Sequence, residues 1–369
     1  MLEMAVYSYH MNGGYMKALI AMSGGVDSSV AALLMKEKGY DCVGCTMKLY
    51  ANEDLGLCAT NTCCSLDDVE DAKSVARRLG MPHYTFNFQD RFKEKVIDNF
   101  ISCYERAMTP NPCIECNKHM KFNELYRRAL ELGCDKVVTG HYARIRKCDN
   151  GYHLMKGLDA SKDQSYVLYA MTQEELEHTD FPLGELSKDR VREIAEEHDF
   201  INANKPDSQD ICFVPDGDYV AAIKRFSGKE YEPGDFVDME GNVLGRHKGI
   251  VSYTIGQRKG LGIAAAHPLY VVKLDIEKNQ VVLGKNEDLF SKDVFVENIN
   301  WIGPEELPET FRCKAKVRYR MVEQACEVNR VGETSAKIVF DEPQRAITPG
   351  QSAVFYDEDV VLGGGIIKC

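Results

Sequence analysis

The chain has 369 residues, of which 44% are hydrophobic and 28% are charged, and its formal net charge is −12 at pH 7. This length predicts two or three domains, and the composition excludes a largely disordered protein. The negative charge argues against a general nucleic-acid-binding surface but allows a local basic face. No run of about 18 apolar residues occurs, so we expect no membrane-spanning segment.

Fourteen cysteines occur in the chain. In a long sequence whose first residues lack the pattern of a secretory signal peptide, they indicate a reducing compartment, so we expect a cytoplasmic location. We expect residues 1–15, which precede the first predicted strand, to form a disordered N-terminal extension.

The most informative stretch is ALIAMSGGVDSSVAALLM, which spans residues 18–35. It predicts a buried strand over 18–22, a tight polar turn, and a helix that runs to residue 38. Such a turn leaves backbone N–H groups free at a helix N-terminus, where they and the helix dipole bind an anion such as phosphate. Gly24 and Gly25 permit close approach or a positive φ, and the serine hydroxyls add donors. The alternative is an ordinary strand-to-helix turn.

Strands and helices alternate through the first half of the chain. The patterns predict strands over 41–47, 83–88 and 136–139 and helices over 67–79, 90–108, 122–132 and 188–198. This alternation predicts a doubly wound parallel sheet, with nucleotide bound beyond the carboxyl ends of the strands. Because Gly140 and His141 follow a predicted strand directly, we expect both in that crevice.

Six of the fourteen cysteines lie in three polar segments. One loop holds three thiols without a zinc-like spacing: Cys58, Cys63 and Cys64. Because Pro110 and Pro112 disfavour helix, we expect Cys113 and Cys116 on a loop ahead of the next helix, with lowered thiol pKa values. This CxxC pair is compatible with a redox dithiol, half of a metal site or two unrelated core thiols. Cys212 lies in a turn-rich stretch that we expect to be mobile.

From about residue 216 onwards, short apolar runs separated by Gly, Pro, Asp and Asn predict small all-β domains, with a boundary within 289–294. EKNQ at residues 277–280 predicts a hairpin. In RCKAKVRYR, five cations alternate with other residues, so a strand would place all of them on one face, where they could follow a phosphate backbone: Arg312, Lys314, Lys316, Arg318 and Arg320. The alternative is a solvated face balanced by carboxylates such as Glu323 and Glu327.

Eight motifs along the chain resemble those of one family: SGGVDSS, PNPCIECN, TGHYAR, KDQSYVLY, SQDICF, YTIGQRKGLGI, RYR and GQSAVFY. Together they resemble the tRNA-specific 2-thiouridylases (the MnmA/TrmU family) of the PP-loop ATP pyrophosphatase superfamily. The resemblance implies an α/β plus all-β fold: a doubly wound PP-loop catalytic domain over 16–215, a small central β domain over 216–290, and a β-barrel-like tRNA-contacting domain over 291–369.

The resemblance implies ATP-dependent 2-thiolation of the wobble uridine of tRNA. ATP adenylates the uridine O2, and a persulfide on Cys212 then supplies sulfur to C2, with Cys116 as the second catalytic thiol. Asp27 organises the loop or a Mg²⁺ ion on the pyrophosphate. The implied ATP-binding residues are Ala21, Met22, Ser23, Gly24, Gly25, Val26, Asp27, Ser28, Met47 and Gly140. The implied tRNA-binding residues are Asn111, Pro112, Cys113, His141, Lys162, Asp163, Gln164, Arg318, Tyr319 and Gln351.

Cys113 departs from the family pattern, in which many members have Asp. Three thiols could therefore hold a [4Fe–4S] cluster that binds sulfide: Cys113, Cys116 and Cys212. We favour the persulfide. The sequence is also compatible with a small-molecule PP-loop synthetase and with a non-catalytic iron–sulfur or zinc protein that binds RNA. The family implies a sulfur donor, either a cysteine desulfurase or a sulfur-relay protein, and a monomer bound to one tRNA.

Overall fold

The computed structural model describes residues 15–51, 66–207 and 211–368. The predicted N-terminal extension, apart from residue 15, lies outside the described residues. So do four of the fourteen cysteines: Cys58, Cys63, Cys64 and Cys369. Within the described ranges, no helix has both the length and the apolar character needed to cross a membrane.

The first domain is built on a five-stranded, fully parallel sheet. Its strands are β1 (Lys17–Ala21), β2 (Asp41–Lys48), β3 (His83–Asn87), β4 (Lys136–Val138) and β7 (Thr179–Asp180), in the order β3-β2-β1-β4-β7. Successive strand residues point to opposite faces. Accordingly, Leu19 packs in one buried cluster with Phe92 and Phe100, and Ile20 packs in another with Val30 and Val191.

Helices cover both faces of this sheet, as the doubly wound prediction requires. They are α1 (Val26–Glu37), α2 (Leu66–Arg78), α3 (Gln89–Phe92), α4 (Asp98–Glu105), α5 (Pro112–Cys116), α6 (Leu125–Glu131), α7 (Gln173–Glu177) and α8 (Lys188–Glu197). A π-helical turn, Lys93–Ile97, joins α3 to α4, and a second, Asn117–Glu124, joins α5 to α6. The strand and helix predictions for this domain are confirmed to within a few residues, with one exception at α5.

The exception is the segment that carries Cys113 and Cys116, which is helical rather than a loop. Pro112 occupies the first turn of α5, where proline needs no N–H and its fixed φ suits a helix. Asn111 caps the helix by accepting a hydrogen bond from the backbone N–H of Cys113 at 3.1 Å. The prediction was wrong because it treated Pro112 as a helix breaker instead of a helix start.

The middle of the chain begins with a helix that the sequence pattern did not predict, α9 (Tyr219–Ser227). A four-stranded sheet follows, in the order β10-β11-β8-β9. Its strands are β8 (Gly234–Val237), β9 (Val243–His247), β10 (Tyr270–Asp275) and β11 (Gln280–Gly284). The hairpin predicted at EKNQ is confirmed, because β10 pairs antiparallel with β11 and Asn279 adopts a φ of 50° in the turn.

The C-terminal strands form a closed six-stranded barrel, because β12 pairs with both β15 and β17. Its strands are β12 (Phe290–Trp301), β13 (Thr310–Lys316), β14 (Gln324–Arg330), β15 (Ala336–Arg345), β16 (Ser352–Asp357) and β17 (Val360–Ile367). A hairpin of the first domain, β5 (Ala143–Cys148) and β6 (Gly151–Lys156), extends this sheet where Met155 pairs with Val360. A parallel-sheet domain followed by two small β domains confirms the predicted fold class.

Tyr166 stabilises the contact between the first domain and the barrel. It is fully buried, and its hydroxyl donates a 2.8 Å hydrogen bond to the carbonyl of Ser352 in β16. We expect Tyr166→Phe to lower the free energy of unfolding by about 1–2 kcal/mol, because the hydrogen bond to a buried carbonyl is lost. Thermal unfolding of full-length protein measures this. Tyr152→Phe is the control, since its hydroxyl contact is exposed and 3.4 Å long; equal stability of both variants would contradict the assignment.

Candidate active site

The SGGVDSS segment links β1 to α1 at the carboxyl end of the sheet. Gly24 adopts a φ of 76°, and a Cβ at that position would lie 2.4 Å from the backbone carbonyl oxygen of Asp68. Gly25 is the N-cap residue of α1. Gly24 therefore meets both requirements for glycine: a left-handed conformation and close packing against another backbone. The first N–H groups of α1 lie where an anion binds at a helix N-terminus.

The serine hydroxyls mainly shape the loop itself. Ser28 Oγ donates to the carbonyl of Gly25 at 3.1 Å and accepts a 3.2 Å hydrogen bond from the backbone N–H of Ser23. Ser29 Oγ, which is fully buried, donates to the same carbonyl at 3.1 Å. In this conformation, the donors available to an anion are backbone N–H groups and the hydroxyl of Ser23, which is exposed and makes only a 3.5 Å contact with Ser28 Oγ.

Asp27 is held by two groups of the first domain. Its carboxylate accepts hydrogen bonds from the Tyr142 hydroxyl at 2.7 Å and from Lys188 Nζ at 2.7 and 2.9 Å. Since Lys188 contacts both carboxylate oxygens, the geometry fits the loop-organising role of Asp27 better than Mg²⁺ ligation. Burial and the neighbouring Asp27 carboxylate raise the pKa of Tyr142, so its hydroxyl remains a donor.

Lys188 also contacts Asp207, which lies where three cations converge. The Asp207 carboxylate accepts from Lys162 Nζ at 2.8 Å, from Lys188 Nζ at 2.8 Å and from Arg192 at 3.0 Å. Burial alone would raise the pKa of Asp207, but the hydrogen bonds from Lys162 and Lys188 outweigh it and lower the pKa to about 2. Asp27 and Asp207 thus share Lys188, which is almost completely buried.

Two further residues in the predicted nucleotide-binding set lie at strand ends. Met47 is the second-last residue of β2, where it pairs with Phe86 of β3. Gly140 follows β4, and a Cβ there would lie 2.9 Å from backbone atoms of Asp27 and Ser28. Gly140 therefore packs directly against the start of α1, as its position after the strand predicted.

Cys116 and Cys212 pack against the same buried cluster of the first domain, and both are half-buried. Burial raises the pKa of the Cys116 thiol to about 11, although the charge of Lys121 opposes this. The predicted lowering of the Cys116 pKa is therefore wrong, because desolvation outweighs the helix terminus and the nearby lysine. Cys113 is exposed at the start of α5.

Candidate metal ligands converge elsewhere. Within the described ranges, three candidate ligand atoms lie within 4.8 Å of one another at Cys148, His153 and Glu305. Two of these residues already contact each other, with His153 Nε2 3.0 Å from Glu305 Oε1. Among the residues that the structure describes, the thiols of the predicted cluster do not form a group of this kind: Cys113, Cys116 and Cys212.

The predicted tRNA-binding residues of the KDQ motif make contacts within the protein. The Asp163 carboxylate accepts hydrogen bonds from the backbone N–H groups of Gly157 and Ser165, and Gln164 Oε1 accepts from the backbone N–H of Tyr142 at 2.9 Å. Tyr319, on the barrel, donates to the carbonyl of Asp163 at 3.4 Å. The motif thus lies where the first domain meets the barrel.

The loop that precedes α5 meets the barrel at the same interface. Gln351 Nε2 donates to the carbonyl of Thr109 at 2.8 Å, and the backbone N–H of Thr109 donates to the carbonyl of Pro349. These contacts bring Gln351 close to the segment that contains Asn111 and Pro112.

His141 is buried, and both ring nitrogens have partners in the protein. Nδ1 lies 2.6 Å from Thr139 Oγ1, and Nε2 lies 3.3 Å from Lys121 Nζ. Burial, aided by the charge of Lys121, holds the pKa of His141 well below its ordinary value, so the ring is neutral. In this conformation His141 positions Lys121, and its contact with tRNA stays a prediction.

The basic strand is shorter than predicted, and several of its cations are paired within the protein. β13 ends at Lys316, so Arg318 and Arg320 lie in the following turn, and the prediction of five cations on one strand face is wrong. Arg312 pairs with Asp341 through both terminal nitrogens, and Lys316 lies 3.7 Å from Asp163.

Arg318 is also engaged within the barrel, where it donates to the carbonyl of Ala346 and to Thr348 Oγ1. In the described part of the chain, Lys314 and Arg320 have no ion-pair partner. These two residues are the cations of the segment that remain available to phosphate.

Sequence reasoning missed several residues that hold the nucleotide loop and the domain interface. They are Lys156, Lys188, Arg192, Asn202, Lys205 and Asp207. One signal was available: Lys188 begins α8, although a cation at a helix N-terminus opposes the dipole. A lysine at that position indicates a specific anionic partner.

A parallel sheet whose first strand leads through SGGVDSS into a helix defines the class of PP-loop ATP-using proteins. Family models match the whole architecture. The tRNA methyl transferase HUP domain matches residues 16–216, the tRNA methyl transferase PRC-barrel domain matches 221–285, and the aminomethyltransferase beta-barrel domain matches 291–367.

Curated relatives are similar over nearly their full length. The tRNA-specific 2-thiouridylase MnmA of Clostridioides difficile is 54% identical over 95% of this chain and 98% of its own. Its counterpart in Halothermothrix orenii is 48% identical over 95% and 99%, and that of Carboxydothermus hydrogenoformans is 49% identical over 96% and 98%. The chain belongs to the tRNA-specific 2-thiouridylase family, a family of ATP-using tRNA sulfurtransferases, which confirms the resemblance found in the sequence.

The stability contributed by Asp207 should depend on pH. Because its pKa is about 2 in the folded protein and 3.8 ordinarily, the contribution is present at neutral pH and is lost as the pH falls from about 4 towards 2. We expect Asp207→Asn to lower the free energy of unfolding by about 1–2 kcal/mol at pH 7, and by less at pH 3.

Urea unfolding of both proteins at pH 7, 5, 4 and 3 measures this difference. Asp199→Asn is the matched control, since that carboxylate is 81% exposed and pairs with a single arginine. A difference for Asp207→Asn that stayed constant down to pH 3 would contradict the assignment.

Proposed function

We propose that this protein replaces the C2 oxygen of the wobble uridine in tRNA with sulfur. The uridine O2 attacks the α phosphorus of ATP, and the bond to the β phosphate breaks, releasing pyrophosphate. A persulfide on Cys212 attacks C2, and AMP leaves with the original oxygen. The Cys116 thiolate then forms a disulfide with Cys212 Sγ as the terminal sulfur stays on the base, and an external thiol reductant restores both cysteines.

The observation that carries this proposal is the backbone anion site at Gly24 and Gly25 in a chain that matches the thiouridylase family over its whole length. Cys116 and Cys212 pack against one buried cluster of the same domain, which supports their use as a pair. In this scheme ATP is used with Mg²⁺, a cysteine desulfurase or sulfur-relay protein supplies the sulfur, and one monomer acts on one tRNA in the cytoplasm.

The high pKa of Cys116 suits a thiol that must stay protonated until substrate is bound. Its pKa of about 11 leaves little thiolate at neutral pH, so premature attack on the Cys212 persulfide is slow. Formation of the thiolate then depends on the Lys121 ammonium, whose charge lowers the pKa of this thiol.

The roles of the thiols can be separated by 2-thiouridine formation in unmodified tRNA, with ATP and a sulfur source. We expect Cys116→Ser and Cys212→Ser each to lower activity on the order of a thousandfold or more, because both lose a reacting group. Cys113→Ser should retain activity within about tenfold, because this exposed thiol has no step in the persulfide scheme.

Cys148→Ser is the matched control, because that thiol is also half-buried but lies on the β5–β6 hairpin. Equal loss in the Cys113, Cys116 and Cys212 variants, together with activity that requires iron, would replace the persulfide scheme with a [4Fe–4S] cluster. Pyrophosphate release without any thiolated product, under every sulfur supply, would instead favour a small-molecule synthetase.

For tRNA binding, we expect affinity to fall steeply with salt, because phosphate contacts release counterions. Removing Lys314 and Arg320 together, as Lys314→Ala and Arg320→Ala, should reduce the slope of log affinity against log salt by about 1–2. Arg312→Ala should leave the slope unchanged, since its guanidinium is paired with Asp341. An unchanged slope in the double variant would place the RNA on another face.

A further inference from the structure

The carbonyl of Gly24 is held by side chains from a distant part of the chain. Asn202 Nδ2 donates to it at 2.9 Å, and Lys205 Nζ lies 3.4 Å away. Both residues lie in the turns that follow α8, nearly 180 positions later in the sequence. Lys205 is itself fixed by Asp68 and Asp71 of α2, at 2.5 and 2.7 Å. The inner side of the loop is therefore closed by two elements that carry no nucleotide-binding motif.

Asn202 also ties the loop to the first turn of α1. The same Nδ2 atom lies 2.9 Å from Ser29 Oγ, which in turn donates to the carbonyl of Gly25. One amide group therefore fixes two points of the loop, and it does so from a position that is only 2% exposed. The amide orientation is unambiguous, because the reverse orientation would set the Asn202 oxygen against the Gly24 carbonyl oxygen.

The buried position of Asn202 leaves one polar atom of its side chain unpaired. Its Oδ1 is buried and has no hydrogen-bond partner among the described residues. Burial of an unpaired acceptor lowers stability, so an asparagine at this position is poorly explained by packing alone. The Nδ2 donor of Asn202 must therefore make an interaction that an apolar side chain of similar size could not make.

The planarity of the peptide bond shows what that contribution is. In a trans peptide, the C=O of one residue and the N–H of the next point in opposite directions. Holding the Gly24 carbonyl inward therefore turns the Gly25 N–H outward, towards the carboxyl edge of the sheet. Gly25 N has no acceptor among the described residues, so its donor is free for an anion.

We propose that Asn202 is a positioning residue for ATP: it fixes the Gly24–Gly25 peptide in the orientation that presents the Gly25 N–H to a phosphate oxygen. Because glycine at both positions leaves this peptide free to rotate, the loop by itself does not select that orientation. Asn202 selects it, with support from Lys205. The inference rests on the proposed use of ATP and adds to that site a residue outside the SGGVDSS motif.

The test compares Asn202→Asp with Asn204→Asp in full-length protein. The first change replaces the donor with a carboxylate that repels the Gly24 carbonyl, whereas the second makes the same change at an exposed position two residues away. ATP and inorganic pyrophosphate binding are measured by calorimetry, with and without tRNA. We expect Asn202→Asp to bind both at least about tenfold more weakly and tRNA alone within about twofold of wild type, with Asn204→Asp unchanged.

Asn202→Ala provides a second variant that adds no charge and removes the unpaired acceptor. We expect it to unfold at a temperature close to that of wild type, yet to raise the KM for ATP about tenfold while the KM for tRNA stays constant. A purely structural residue would not separate the two substrates in this way. ATP binding equal to wild type in both Asn202 variants would overturn the inference, whereas a wild type that binds no ATP under either condition would contradict the proposed function itself.

Discussion

Backbone recognition of a polyphosphate imposes one constraint on this protein: the carbonyl groups of the loop must be held on the protein side so that its N–H groups face the ligand. Around Gly24, this requires three separate segments. The backbone of α2 lies so close to Gly24 that only glycine fits there. The turn after α8 donates hydrogen bonds to the Gly24 carbonyl, and Gly140 packs against the start of α1. The fold of the first domain serves to bring these segments to one strand end.

A network of buried ion pairs connects the nucleotide loop to the KDQ motif of the same domain. Lys188 lies between Asp27 and Asp207, and Asp207 in turn contacts Lys162 of the KDQ motif. Removal of a single member of such a network leaves an unpaired buried charge, which is costly. The nucleotide loop and the KDQ motif are therefore coupled through one lysine that neither motif contains.

The KDQ motif also faces the barrel. Asp163 lies 3.7 Å from Lys316, which with Lys156 surrounds Glu323, and the ammonium groups of both lysines lie over the ring of Tyr356. Consecutive residues of one motif thus contact different domains, since Lys162 points to the nucleotide side and Asp163 to the barrel. The family resemblance assigns three of these interface residues to tRNA, so they can orient the RNA-binding surface as well as contact it: Asp163, Tyr319 and Gln351.

Some features of the fold and the site could be predicted from the sequence, and others could not. The alternation of apolar strands with amphipathic helices, the glycine-rich loop and the motifs along the chain were sufficient for the fold class and the family, because these depend on local pattern. The start of α5 was missed because proline breaks a helix from the inside but favours one from its first turn, and Pro112 lies in the first turn. The basic strand was misjudged because pairing partners such as Asp341 and Ala346 are remote in sequence and invisible to a periodicity argument.

The sequence by itself determined that a loop of glycine and serine lies between a strand and a helix, that thiols occur at Cys116 and Cys212, and that the chain belongs to the thiouridylase family. Only the tertiary structure decided which way the Gly24–Gly25 peptide faces and which cations are paired within the protein. It also decided that Cys116 is buried enough to have a raised pKa. The physical reason is that peptide orientation, ion pairing and desolvation depend on groups brought together from distant segments, such as Asn202 and Asp68, and no local pattern encodes those distances.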